Sequence, residues 1–137
     1  MAKSSGITTT VSVDDAGGTA RDISADIESV EITTSRNSVD ITGLDKSAVE
    51  RLLLLADAQV RLTMTFNPAT NAQHDVFKTS TSTSVARTVT IVFNSTPTAT
   101  LAMEMIITDY SFPRGADGAI KPTATLMLQS GTAPTWT

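Results

Sequence analysis

Residues 59–66 read Gln59-Val60-Arg61-Leu62-Thr63-Met64-Thr65-Phe66. Apolar side chains at Val60, Leu62, Met64 and Phe66 alternate with polar ones. A period of two places all four on one face of a strand, which no helix can do. Asn67-Pro68 follows and ends the strand.

The same signal recurs on both sides. Ile7, Thr9, Val11 and Val13 share one face ahead of a turn at Asp14-Asp15-Ala16-Gly17-Gly18, where two glycines accept positive φ. Residues 21–34 predict one or two short strands carrying Ile23, Ile27, Val30 and Ile32. Val85, Arg87, Val89, Ile91 and Phe93 predict another, with a turn at Asn94-Ser95-Thr96-Pro97. Residues 98–112 predict one long strand, or two joined at a bulge. Gly115-Ala116-Asp117-Gly118 closes a hairpin onto residues 119–128. Asp75-Val76-Phe77-Lys78 is a short helical insert. A longer amphipathic helix is expected over 45–56, capped by Asp45 or Ser47, with Ala48, Val49, Leu52, Leu53, Leu55 and Ala56 on its apolar face. The expected fold is mainly β: an antiparallel barrel or sandwich of about seven strands with one flanking helix at about 45–56. It forms a single domain over residues 1–137, with flexible arms at about 1–6 and 130–137.

Composition excludes several function classes. The 137 residues contain no Cys and a single His, His74, so neither a disulfide framework nor a Cys or His metal cluster is available. The net charge of −4 argues against a general nucleic-acid binder, and 4% aromatics leave few stacking platforms. No apolar run approaches a membrane span, and residues 1–5 lack the apolar core of a signal peptide, so a soluble protein made in a cytoplasm is expected. Charge is uneven: residues 14–57 hold ten acids against four bases, whereas 58–137 hold four against five. An acidic stretch of this kind is a solvated face, or a surface that meets something negative without sticking to it.

No catalytic constellation emerges. His74 is the only candidate base for a Ser or Thr nucleophile, and its neighbour Asp75 points elsewhere on a helix. Asp14-Asp15 beside Gly17-Gly18 lacks the spaced carboxylates of a calcium loop and reads as turn chemistry. Asn94-Ser95-Thr96 is a formal glycosylation motif in a turn. No catalytic, cofactor or metal residue is assigned, and a structural or binding role is expected.

Three segments, in order, carry a resemblance: Asp40-Ile41-Thr42-Gly43-Leu44-Asp45 continuing to Asp57; His74-Asp75-Val76-Phe77-Lys78 followed by Ser84 to Ile91; and Thr108-Asp109-Tyr110 before the last hairpin. Over about residues 7–129 the chain resembles the major tail tube proteins of long-tailed bacteriophages with non-contractile tails. The resemblance implies a structural virion protein, assembled in the bacterial host cytoplasm. Its hexameric rings would stack into a hollow tail tube, each copy giving strands to one inner barrel. Implied partners are the protein itself, a tape-measure protein in the lumen, tail terminator and distal tail proteins at the ends, and double-stranded DNA in transit without specific binding. Inner tubes of contractile tails and related injection devices share the architecture. A capsid decoration protein and a small β-sandwich binding module remain alternatives.

Site expectations follow from that reading. A wet lumen wall needs a polar, small-residue strand face carrying isolated acids. Glu104 with Thr98 and Thr100, and Glu31 with Ser29 and Thr33, fit it. Leu54, opposite the apolar face of the expected helix, is the expected subunit contact. The Asp14–Asp15 turn and Trp136 on its extended arm are expected to order at interfaces as well.

Overall fold

The structure is a computed structural model that describes residues 9–83, 85–93 and 98–137. The expected arm at 1–6, Ile7 and the turn at 94–97 lie outside the described residues. Seven strands form one antiparallel sheet: β1 (Thr9–Asp14), β2 (Ala20–Asp22), β3 (Ile27–Asp40), β4 (Arg51–Met64), β5 (Arg87–Phe93), β6 (Ala99–Ser111) and β7 (Thr123–Leu128). Their order across the sheet is β2-β1-β5-β6-β7-β4-β3, and the sheet is not closed. One short helix, α1 (Gln73–Phe77), sits where the insert was expected.

β6 belongs to two halves of this sheet. Its first part, Ala99 to Met105, pairs with β5, and its last part, Met105 to Ser111, pairs with β7. Only Met105 has a strand partner on both sides. A register shift between Ile107 and Asp109 marks the expected bulge, which bends the strand. Alternation then sorts the side chains. Val11, Val13, Val89, Ile91, Leu101, Met103 and Met105 from the first half are buried together with Ala58, Val60, Leu62, Met64, Ala124 and Leu126 from the second. With α1 and its Val76 and Phe77 as the only α-helical cover among the described residues, the sheet buries this face by curling over itself. The outer faces of the two halves therefore look in opposite directions.

The expected helix at 45–56 is not formed. Arg51 to Ala56 is the beginning of β4, paired in register with β3 as Arg51↔Asp40, Leu52↔Val39 and Leu53↔Ser38. The hairpin extends past these strands through the Ile41 amide, which donates to the Glu50 carbonyl at 2.9 Å, and the Glu50 amide, which donates to Thr42 Oγ1 at 2.7 Å. A run of four leucines fits either period, and the choice falls to the partner available across the hairpin. Between Arg36↔Ala56 and Ser38↔Leu53, both Leu54 and Leu55 oppose the single residue Asn37, a bulge that absorbs the extra leucine. The Arg36 side chain stabilises it by donating to the Leu54 carbonyl at 2.8 Å.

Among the described residues one buried side chain is charged. Arg87 is 1% exposed and lies in line with Val89 and Ile91 on the core face of β5. Its guanidinium donates to the carbonyl of Val76 in α1, to Thr79 Oγ1 at 3.1 Å and to the Asp14 carbonyl at 3.4 Å. Burial pushes its pKa down, while Asp15 and Asp14 act to raise it. The group joins β1, β5 and α1 at one point.

Candidate assembly surfaces

The most apolar surface is the outer part of the β3–β4 hairpin. Of thirteen exposed large hydrophobics among the described residues, eight lie there: Val39, Ile41, Leu44, Val49, Leu52, Leu53, Leu54 and Leu55. Leu55 is 91% exposed and Leu44 fully so. Successive leucines in a strand point to opposite faces, so both faces of this ribbon are apolar and uncovered. Contiguous apolar exposure of this extent is a property of interaction sites. Leu54 is 44% exposed, as expected, but through a strand bulge rather than a helix. Its neighbours in the ribbon were missed because the expected helix hid them in a core.

Where the ribbon leaves the body, an apolar groove of about 1160 Å³ opens between Arg36, Leu53, Leu54 and Leu55 on one side and Leu128, Ala133 and Pro134 on the other. The segment from Gly131 onward, expected as an extended arm, runs back along β6. Thr100 and Thr137 exchange backbone hydrogen bonds of 2.7 and 2.9 Å, and Trp136 bridges Leu101 and stacks on Phe93 at 5.9 Å. Trp136 thus rests on its own chain, 46% exposed.

The sheet edges differ in the same way. In the first half, β2 covers the upper part of β1, and the Val11 carbonyl and amide are paired with the Ile23 amide and Ser24 Oγ. The free side of β6 at 100–104 is covered by Thr137 and by the Gln129 amide, which donates to the Glu104 carbonyl. In the second half, β3 has β4 on one side and no described strand on the other along its 14 residues. It contains neither Lys nor Pro, two residues that blunt an edge.

The six expected wall residues fall into two groups. Thr100 and Glu104 lie on the outer face of the first half, where Thr88 Oγ1 donates to Glu104, with Thr98 just ahead of β6. Ser29, Glu31 and Thr33 lie on the outer face of the second half, opposite Thr63, Arg61 and Gln59. Because the halves back onto one core, these groups face away from each other. Asp57 and Asp109 share the second face, so it carries three acids against Arg61.

Asp14 ends β1, and Asp15 organises the turn behind it. Asp15 Oδ1 accepts from the amides of Gly17 at 2.9 Å and Thr19 at 3.0 Å, and Oδ2 accepts from Arg21 Nε at 3.0 Å. Gly18 takes φ +85°, which explains the second glycine. The Thr19 amide foremost, with Arg21 and the Gly17 amide, holds the Asp15 carboxyl below its usual range. The stabilisation is full above the unfolded value of about 4 and is lost as pH falls through the folded one. Asp15→Asn should therefore melt earlier than the wild type at neutral pH, and the two melting curves should converge in strong acid. A gap unchanged by pH would contradict this role.

No protein-family model matches the chain, and no curated protein matches it by sequence. Solved structures do match. A chain from the tail of an empty gene transfer agent particle, refined with C6 symmetry, superposes with a TM-score of 0.78 at 15% identity, covering 98% of this chain and 99% of that one. A chain from the virion of a native gene transfer agent particle gives 0.74 at 14% identity, with 98% and 99% covered. The SPP1 tail tube protein gives 0.71 at 10% identity, with 93% of this chain and 75% of that one. Over nearly its whole length, the chain has the fold of these tail proteins.

Proposed function

We propose that the protein is a structural tail tube subunit whose copies form hexameric rings that stack around a channel for double-stranded DNA. The observation that carries this reading is the leucine ribbon, apolar on both faces and standing on a domain whose other strands hide their apolar faces. The fold shared with tail chains, one of them in a C6 assembly, supports it. Sedimentation at increasing concentration tests it: growth into large particles is expected, and a persistent monomer would overturn it.

Edge chemistry supports one choice of wall. The first half caps its edges from within, whereas the second leaves β3 open, and no described strand lies beside Ile106–Ser111 on the side away from β7. Four strands alternating in direction place β3 of one copy antiparallel to β6 of the next, so a ring can close without parallel pairs. The wall is then the outer face of the second half, with Ser29, Glu31, Thr33, Asp57 and Asp109, and Glu104 faces outward. A wall with excess acid repels DNA weakly and lets it slide. Glu31→Lys with Asp57→Lys should let tubes form but slow DNA passage, most at low salt, where screening is weakest. Glu104→Lys should leave passage unchanged; the reverse pattern would exchange the two faces.

In this reading a tape-measure protein fills the lumen before DNA, and terminator and distal tail proteins cover the two ends. The role is structural, with no catalysis.

A further inference from the structure

At the end of the molecule opposite the leucine ribbon lies a cluster of aromatic rings. β4 runs from the ribbon at Arg51 to Met64, about 43 Å at 3.3 Å per residue. Phe66 follows it by two residues. β6 runs in the same direction as β4, since both are antiparallel to β7, and Phe112 follows its last residue. The two phenylalanines thus leave the sheet at one end, where α1 brings His74 between them. Ring centroids are 5.1 Å apart for Phe66 and His74, 5.5 Å for His74 and Phe112, and 4.7 Å for Tyr110 and Phe112.

The cluster is held in place from below. The buried Gln73 donates to the Tyr110 hydroxyl at 2.7 Å, His74 Nδ1 lies 3.0 Å from the same oxygen, and Phe77 stacks under Tyr110 at 5.5 Å. Burial, opposed by the Gln73 hydrogen bond, raises the Tyr110 pKa. Phe66 and Phe112 nevertheless remain 37% and 44% exposed. Large rings already fixed in position lose little entropy on docking, the property of an interface anchor.

We infer that this aromatic end is the ring-to-ring contact, and that its receptor is the groove at the base of the leucine ribbon on a second copy. The two surfaces lie at opposite ends of one strand, so they cannot meet within a chain. In a stack of rings pointing the same way they meet at every junction. A head-to-tail pairing of unlike surfaces propagates without limit, as a tube must. Phe66 and Phe112 supply the projecting side; Leu53, Leu54 and Leu55, with Leu128 and Pro134, supply the concave one. The inference rests on the stacked-ring reading and adds which surface the groove at the ribbon's base receives.

The absence of native cysteine makes the test direct. Tubes of the double variant Leu54→Cys, Phe112→Cys, treated with a short bis-maleimide, should give a ladder of covalent multimers, and each single variant only monomers. In a second experiment, Phe112→Ser should give rings that fail to stack. Double-variant tubes that yield no ladder, or Phe112→Ser tubes as long as those of the wild type, would overturn the aromatic contact while leaving the tube reading standing. A wild-type protein that forms neither rings nor tubes would overturn the tube reading itself.

Discussion

Arg87→Ala is expected to lower folding stability by about 3–5 kcal/mol, the range for removing one member of a buried charged network. The substitution deletes the donors to Val76, Thr79 and Asp14 together and leaves a cavity where α1 meets the sheet. An acceptor buried without its donor costs about 1–3 kcal/mol, and here the losses fall at one junction. Arg87→Met restores volume but not the hydrogen bonds, so its loss should lie between those of the wild type and the alanine variant. Urea unfolding measures both. An alanine variant within 1 kcal/mol of the wild type would show that the guanidinium is not what joins α1 to the sheet.

Leu54→Asp is expected to abolish tube formation while leaving the subunit folded. At 44% exposure in the free chain, a polar side chain there costs the monomer little, within about 0.5 kcal/mol. In the assembly the new carboxylate would be desolvated without a partner, at several kcal/mol for each contact. The penalty recurs in every copy of every ring, so a modest cost per site removes the whole assembly. Circular dichroism should match the wild type and electron microscopy should show no tubes. Normal tubes from this variant would mean that Leu54 is merely exposed.

Much of the fold was legible in short-range pattern. Val60, Leu62 and Met64 alternate with polar residues, and the structure buries all three. The bulge in β6 was legible as one of two alternatives for residues 98–112, one long strand or two joined at a bulge. Leu52 to Leu55 were not, because their identity satisfies both periods and Val39, thirteen residues upstream of Leu52, settles the matter by pairing with it. Arg87 was legible in part: its spacing to Val89 and Ile91 put it on the core face, but nothing local announces Val76, Thr79 and Asp14 as its acceptors. The aromatic end was invisible for a different reason. Phe66, His74 and Phe112 are distant in sequence, and strand direction together with the placement of α1 brings them together. The same applies to the wall. Alternation gave Glu31 and Glu104 polar faces, but only the curl of the sheet turns those faces apart.

The most direct test of the central claim is a cryo-electron microscopy reconstruction of the purified, assembled protein. Hollow sixfold tubes are expected, in which β3, β4, β7 and the last part of β6 line the channel and the leucine ribbon is buried between rings. Compact closed oligomers, or particles in which the ribbon remains in solvent, would contradict it.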